Sequence, residues 1–217
     1  MPAMSSPQRT AAIETAAMTA LLLTYIWGWA GRFEGASYAI VAGFLGIGAF
    51  SHVRRGESAR ELGIRLDNWR SAVLNVLYWM AVPLLALLAI GAAMHTWHFP
   101  SLARAVGSLS WLLVWGTAQQ YGLLCFFYRR QRELFESSAA ASVAAGALFS
   151  IFHLPNPFLM AVTLVAGFIA CEIYRRQPNL FVMGAMHALT SFTLYYALPR
   201  GVTHGLRVGP GYYAWGG

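Results

Sequence analysis

The sequence predicts an all-α, polytopic bundle of about seven transmembrane helices. Of its 217 residues, 58% are hydrophobic and only 11% are charged, whereas a soluble domain carries about 25% charged residues. The charged residues are grouped between long apolar runs, which is the distribution that a bilayer imposes on a protein. Because the chain has no internal repeat and no low-complexity tract, we expect residues 1–217 to form a single integral membrane domain.

The predicted helices correspond to apolar stretches that are long enough, or nearly long enough, to span a membrane. A helix needs about 20 apolar residues to cross the hydrocarbon core. The second, fifth and sixth stretches are short, so we expect their ends to lie at the interface or inside the bundle. In chain order, the predicted spans are 11–30, 37–53, 72–94, 109–128, 139–154, 157–174 and 179–198.

The arginines between the spans predict the orientation of the chain. In the seven-helix arrangement, eleven of them fall on one side of the membrane and four on the other. Because cytoplasmic loops carry an excess of positive charge, we expect the N-terminus in the cytoplasm and the C-terminus outside. We expect the membrane itself to be the inner membrane of a bacterial cell. The net charge of +7 is then explained by an anionic lipid bilayer, and we expect no nucleic-acid partner.

Two segments outside the spans have distinct patterns. Residues 54–70 mix charged and apolar side chains, which favours a cytoplasmic interfacial linker formed by a helix and a turn. Residues 199–217 form a C-terminal tail rich in glycine and aromatic residues. We expect this tail to fold back on the membrane surface, with Tyr212, Tyr213 and Trp215 at the level of the lipid headgroups.

Polar side chains within the spans are the candidate functional residues, because polar groups at membrane depth are costly and usually face the bundle interior. The fourth span carries Gln119 and Gln120, and the fifth ends at His153. The seventh carries His187 and Ser191, which are one helical turn apart and therefore share a face. Three helices thus each supply a polar group, and two of these groups are imidazoles.

Each of these residues also has a purely structural interpretation. A glutamine pair often forms hydrogen bonds between helices, a single histidine is often a packing residue, and Ser191 can bond to its own helix. Glu14 and Glu172 lie near the ends of their helices, where we expect their side chains to reach the membrane surface.

From about Glu61 onward, the sequence resembles the CPBP family, the CAAX-protease and bacteriocin-processing group of intramembrane metalloproteases. The family pattern has three parts on three helices: a Glu-Glu pair with an Arg four residues after the second Glu, Phe-xxx-His, and His-xxx-Asn. The second part is intact from Phe149 to His153. In the third part, His187 matches and Ser191 stands where Asn is usual.

The first part of the family pattern is replaced. Gln119 and Gln120 stand at the positions of the Glu-Glu pair, and Leu124 stands at the position of the Arg. The resemblance implies that the Glu pair and the histidines hold a metal and activate a water molecule. A carboxylate can accept a proton as a general base, but a carboxamide has no basic site near neutral pH.

These replacements bear on the cofactor that the resemblance implies. Glutamine is a poor ligand for zinc, and a catalytic zinc site usually has three protein ligands. His153 and His187 would therefore be metal ligands only if a metal is bound, with zinc as the metal of an active enzyme. We expect instead that the family mechanism does not operate, and that the polar residues form a neutral hydrogen-bonded network. The network would comprise Gln119, Gln120, His153, His187 and Ser191.

Three functions remain open at the level of the sequence. The first is a non-catalytic member of the family that binds a hydrophobic peptide, a lipid or a partner helix, as an adaptor, a chaperone or a subunit of a larger membrane complex. The second is an intramembrane metallo-endopeptidase with an altered site, which processes membrane or prenylated proteins and takes a third ligand from Glu172 or a partner chain. The third is an isoprenoid- or pigment-binding membrane protein.

Overall fold

The computed structural model describes residues 4–29 and 34–214, and within these ranges it contains helices and no strand. The all-α prediction is therefore confirmed. In the described ranges, four helical stretches are both long and apolar enough to cross a membrane, and the shorter Ser138–Ile151 is also apolar. The four stretches are Ser6–Gly28, Trp69–Ala93, Pro157–Arg176 and Leu180–Ala197.

The helices follow the predicted spans in order, although several boundaries differ. Segments of π-helix continue the first helix over Tyr25–Trp29 and the fourth over Tyr121–Tyr128, and a 3-10 turn covers His204–Leu206. In chain order, the α-helices are α1 (Ser6–Thr24), α2 (Glu34–Arg54), α3 (Trp69–Ala93), α4 (Leu102–Gln120), α5 (Arg129–Leu134), α6 (Ser138–Ile151), α7 (Pro157–Arg176), α8 (Leu180–Ala197), α9 (Arg200–Thr203) and α10 (Pro210–Tyr213).

Two asparagines set the starts of α7 and α8. The Asn156 side chain accepts a hydrogen bond from the backbone N–H of Leu159 at 3.1 Å, and the Asn179 side chain accepts one from that of Val182 at 3.0 Å. Each bond satisfies a backbone donor that has no partner within its helix. Both asparagines are fully buried, so these helix starts are fixed inside the protein.

Small residues allow two helix pairs to approach closely. A Cβ atom on Gly184 of α8 would lie 2.1 Å from Thr117 Oγ1 of α4. A Cβ atom on Gly146 of α6 would lie 2.8 Å from the carbonyl oxygen of Leu164 on α7. Small residues at such crossings are typical of helices that pack together in a membrane. These two crossings pair α4 with α8 and α6 with α7.

The linker between α2 and α3 forms turns and not the interfacial helix expected from its sequence. Gly63 has a φ of +70°, a conformation that favours glycine, and its carbonyl oxygen accepts a hydrogen bond from the Leu180 N–H at 2.8 Å. The Asn179 side chain donates to the Arg65 carbonyl oxygen at 3.0 Å. The linker is therefore held against the start of α8.

The C-terminal tail packs on the turn between α6 and α7. The Gly209 N–H donates to the Leu154 carbonyl oxygen at 2.7 Å, and the Asn156 side chain donates to the Arg207 carbonyl oxygen at 3.1 Å. The Tyr212 ring stacks on His204 with a centroid distance of 4.6 Å. Trp215 lies outside the described residues, and the headgroup level of the tail stays a prediction.

Candidate functional site

The two glutamines lie where α4 passes into the π-helical segment. Gln120 is the last residue of α4 and is 2% exposed, while Gln119 is partly buried. Segments of π-helix are rare and often occur at functional sites, because the extra residue in the turn changes which side chains face inward. Here only the second glutamine faces the packed interior.

Gln120 forms a hydrogen bond with the histidine of α8. Its Nε2 donates to His187 Nδ1 at 3.1 Å. His187 Nδ1 is therefore an acceptor, so the proton of the neutral ring is on Nε2. The ring fits against α4 because residue 116 is glycine, where a Cβ atom would lie 2.9 Å from His187 Cδ2.

His153 follows α6 and lies near the other histidine. Its Nδ1 donates to the Phe149 carbonyl oxygen at 2.7 Å, which leaves Nε2 as the acceptor. The Phe149 ring makes edge contacts with both imidazoles, at centroid distances of 4.8 Å to His153 and 6.3 Å to His187. The Phe-xxx-His pair thus joins the two imidazoles through one aromatic ring.

The network in the structure is smaller than the one predicted from the sequence. Gln119 and Ser191 are both partly buried. Within the described chain, neither side chain makes a hydrogen bond. Ser191 still lies one turn beyond His187, on the same face of α8. The site that the structure brings together consists of Gln120, Phe149, His153 and His187.

This site is neutral and has unused hydrogen-bonding capacity. Gln120 Oε1 is buried without a hydrogen-bond partner in the described part of the chain. Such an atom is uncommon, because an unpaired buried acceptor costs about 1–3 kcal/mol. His187 presents an Nε2–H donor and His153 an Nε2 acceptor. The arrangement can hold a neutral polar group that both donates and accepts hydrogen bonds.

The residues of the site do not fit a catalytic zinc. In the part of the chain that the structure describes, no group of three or more His, Cys, Asp or Glu residues is placed to hold a metal. Glu172, the suggested third ligand, accepts a hydrogen bond from Ser142 Oγ at 2.9 Å. Ser142 precedes His153 by three turns of α6, or about 16 Å along the helix axis. Two imidazoles without a carboxylate fall short of the usual ligand set.

The position at which the family pattern has an arginine is part of the hydrophobic core in this chain. Leu124, which stands where the family has Arg, has no exposed surface and packs with the buried side chains of the π-helical segment. An arginine there would need charged partners to offset its burial. The replacement therefore matches its apolar surroundings.

A second polar cluster, which the sequence analysis missed, joins α1, the end of α2, the following linker and α5. Arg130 has no exposed side-chain surface and forms ion pairs with Glu57 and with Glu133, the latter at 2.6 Å. Arg55 pairs with Glu133 at 2.8 Å and with Glu14 at 2.9 Å. We call these residues, together with Arg129 and His52, the ion-pair cluster.

The position of Glu14 corrects the expectation that its side chain reaches the membrane surface. Besides its ion pair with Arg55, it accepts a hydrogen bond from Ser51 Oγ at 2.8 Å. Glu14 therefore ties α1 to the end of α2. Glu172 likewise pairs with Arg175 at 2.7 Å and is buried.

The carboxylate of Glu57 is strongly stabilised in its charged form. Burial alone would raise its pKa, but hydrogen bonds from His52 and Arg129 and the charge of Arg130 lower the pKa from 4.5 to about 2. Glu57 lies in the linker, outside the predicted spans. Its ionised form is thus favoured by folding.

We expect Glu57→Gln to remove part of the acid sensitivity of the protein. Because the folded pKa is lowered, Glu57 stabilises the fold above pH 4.5 and loses this effect as the pH falls towards 2. Each pKa unit corresponds to about 1.4 kcal/mol, so the effect is at most about 3–4 kcal/mol. The free energy of unfolding in detergent, measured from pH 4.5 down to pH 2, should fall more steeply for the wild type than for Glu57→Gln. Equal slopes for both proteins would contradict the role assigned to Glu57.

Comparison with known proteins adds one match. A family model described as "Type II CAAX prenyl endopeptidase Rce1-like" matches residues 109–193. The matched stretch runs from α4 through most of α8 and contains the whole candidate site. No curated protein and no solved structure matches the chain. Over residues 109–193, this membrane protein is thus similar to the Rce1-like family of CAAX proteases.

Proposed function

We propose that the chain is a non-catalytic member of the CAAX-protease family, which binds a hydrophobic peptide or partner helix as an adaptor, chaperone or subunit of a membrane complex. One observation carries the proposal. At a position where the family has a carboxylate, the Gln120 amide is buried and donates a hydrogen bond to His187 Nδ1 at 3.1 Å. An amide in this position supplies no base to activate water.

The surroundings of the amide support this interpretation. A working peptidase would need a substitute carboxylate near the histidines. Glu172, the candidate that the sequence offers, is held in an ion pair with Arg175. The site is thus left with amide and imidazole groups only, which favours binding over hydrolysis.

The unused hydrogen-bonding groups support a binding role. Gln120 Oε1 has no partner in the described chain, and the two Nε2 atoms form no hydrogen bond there. At membrane depth, a ligand with a polar group is favoured to satisfy such atoms, because water is scarce. A backbone peptide group of a hydrophobic segment offers both the donor and the acceptor that this set requires.

We expect His187→Ala and His153→Ala each to lower the stability of the protein. Removal of His187 leaves the Gln120 amide without its acceptor, at a cost of about 1–3 kcal/mol. Removal of His153 leaves the Phe149 carbonyl, which lies in the last turn of α6, without its donor, so we expect a loss of similar size. Membrane abundance and thermal unfolding in detergent measure both effects.

A peptidase assay on the same proteins separates binding from catalysis. Purified wild type should show no zinc-dependent and chelator-sensitive cleavage of a prenylated CAAX peptide. Ser191→Ala serves as a matched control on the same face of α8, because Ser191 makes no hydrogen bond in the described chain. Cleavage that disappears in both histidine variants at normal abundance would refute the proposal and favour an intramembrane metallo-endopeptidase.

A further inference from the structure

A groove between α1 and α2 lies apart from the histidine site. Its volume is about 440 Å³, and most of its lining is apolar, with Ile13 on α1 and Gly46 and Phe50 on α2. Its polar end is formed by Glu14 and Arg54. The groove therefore has an apolar floor and one charged end.

The charge at that end is positive and uncompensated. Arg54 is exposed and lies over the Phe50 ring, with its guanidinium carbon 5.6 Å from the ring centroid. No carboxylate of the described residues pairs with it. The charge of Glu14 is already offset by Arg55, at 2.9 Å. An anion is thus the group that the open end of the groove attracts.

The charged end lies where lipid headgroups lie. Arg54 is the last residue of α2 and precedes the charged linker, and Thr10 of the groove is near the start of a stretch long enough to cross a membrane. Gly46 is eight residues before Arg54, which places it about 12 Å deeper along the helix. A side chain at Gly46 would enter open space, since no atom lies within 4 Å of its Cβ position.

We propose that this groove binds one anionic phospholipid, with the phosphate on Arg54 and an acyl chain along Gly46 and Ile13. A phospholipid combines a negative headgroup with an apolar chain, and the groove has the complementary charge at the headgroup level and an apolar wall below it. The proposal does not depend on the function of the histidine site, which lies on α4, α6 and α8.

Native mass spectrometry of the full chain in mild detergent tests the proposal. The protein is titrated with phosphatidylglycerol and with phosphatidylcholine of the same acyl chains. We expect one phosphatidylglycerol to be retained preferentially. Arg54→Ala should weaken its binding about tenfold, because a charge-assisted contact is lost. Gly46→Leu should weaken the binding of both lipids, because its side chain fills the groove.

Arg70→Ala is the matched control. Arg70 is also exposed, borders the same linker and lies over an aromatic ring, 5.5 Å from the centroid of Trp69, but it does not line the groove. The Arg70→Ala variant should therefore bind both lipids as the wild type does. Since Gly46→Leu could unfold the chain, Arg54→Glu provides a second surface variant, and it should abolish the preference for the anionic lipid.

Three results would overturn the proposal. The first is equal retention of both lipids by the wild type. The second is an equal loss of binding in Arg54→Ala and Arg70→Ala, which would indicate only a general attraction between basic residues and anionic lipid. The third is a lipid-free dimer that Gly46→Leu dissociates, which would make a second copy of the chain the occupant of the groove.

Discussion

Arg130→Met is expected to destabilise the protein by about 3–5 kcal/mol and to reduce its accumulation in the membrane. Arg130 is fully buried, and its guanidinium is the partner of Glu57 and of Glu133. Methionine keeps much of the side-chain volume, but it leaves the carboxylates of Glu57 and Glu133 without the positive charge of Arg130. Thermal unfolding in detergent and quantitative immunoblotting of membranes measure the loss.

Arg132→Met is the control for this substitution, on the same helix. Arg132 is exposed, and its guanidinium donates only to Ser138 Oγ, at 2.6 Å. We expect its effect to stay within about 0.5 kcal/mol, as for most surface changes. Adding Glu57→Gln to Arg130→Met should recover part of the stability, because it removes one uncompensated charge. Equal effects of Arg130→Met and Arg132→Met would disprove the structural role of the ion-pair cluster.

The sequence predicted the positions of the helices because a membrane span must satisfy its own backbone hydrogen bonds, which makes it long and apolar. It did not predict where helices continue beyond the apolar stretch. The fourth helix begins at Leu102 and not near residue 109, because Arg104 lowers the local hydropathy without breaking the helix. Of the helix and turn predicted for the linker, only turns form, and the contacts of the linker with Asn179 come from a distant part of the chain.

The sequence identified the histidine site through the depth of its polar residues. It could not decide which glutamine contacts His187, because adjacent residues on a helix point about 100° apart and the rotation of α4 depends on packing. In the structure, Gly116 and the π-helical segment after Gln120 settle this rotation.

Local sequence patterns could not predict the ion-pair cluster, for a related reason. Its contacts join residues far apart in sequence, such as Arg55 with Glu133, which are 78 positions apart. No periodicity within one helix records such a pair. Only the association of α1, α2 and α5 brings these charges together, and that association depends on tertiary packing.

Restoring the family carboxylate by Gln120→Glu is expected to destabilise the protein by about 3 kcal/mol, the typical cost of a charge at membrane depth. Gln120 is 2% exposed, so the new carboxylate would have little access to water. It would also be unable to donate to His187 Nδ1, which accepts the present hydrogen bond. The proton of His187 would have to move from Nε2 to Nδ1 to restore the contact.

Two further variants identify the origin of this loss, as measured by thermal unfolding. Gln119→Glu should cost less than Gln120→Glu, because Gln119 is only partly buried. Gln120→Leu removes the same hydrogen bond without adding charge, so it should cost about 1–2 kcal/mol. If Gln120→Glu is as stable as the wild type, some cation must compensate the carboxylate within the site. The site would then be suited to a metal after all, and the amide would no longer argue against hydrolysis.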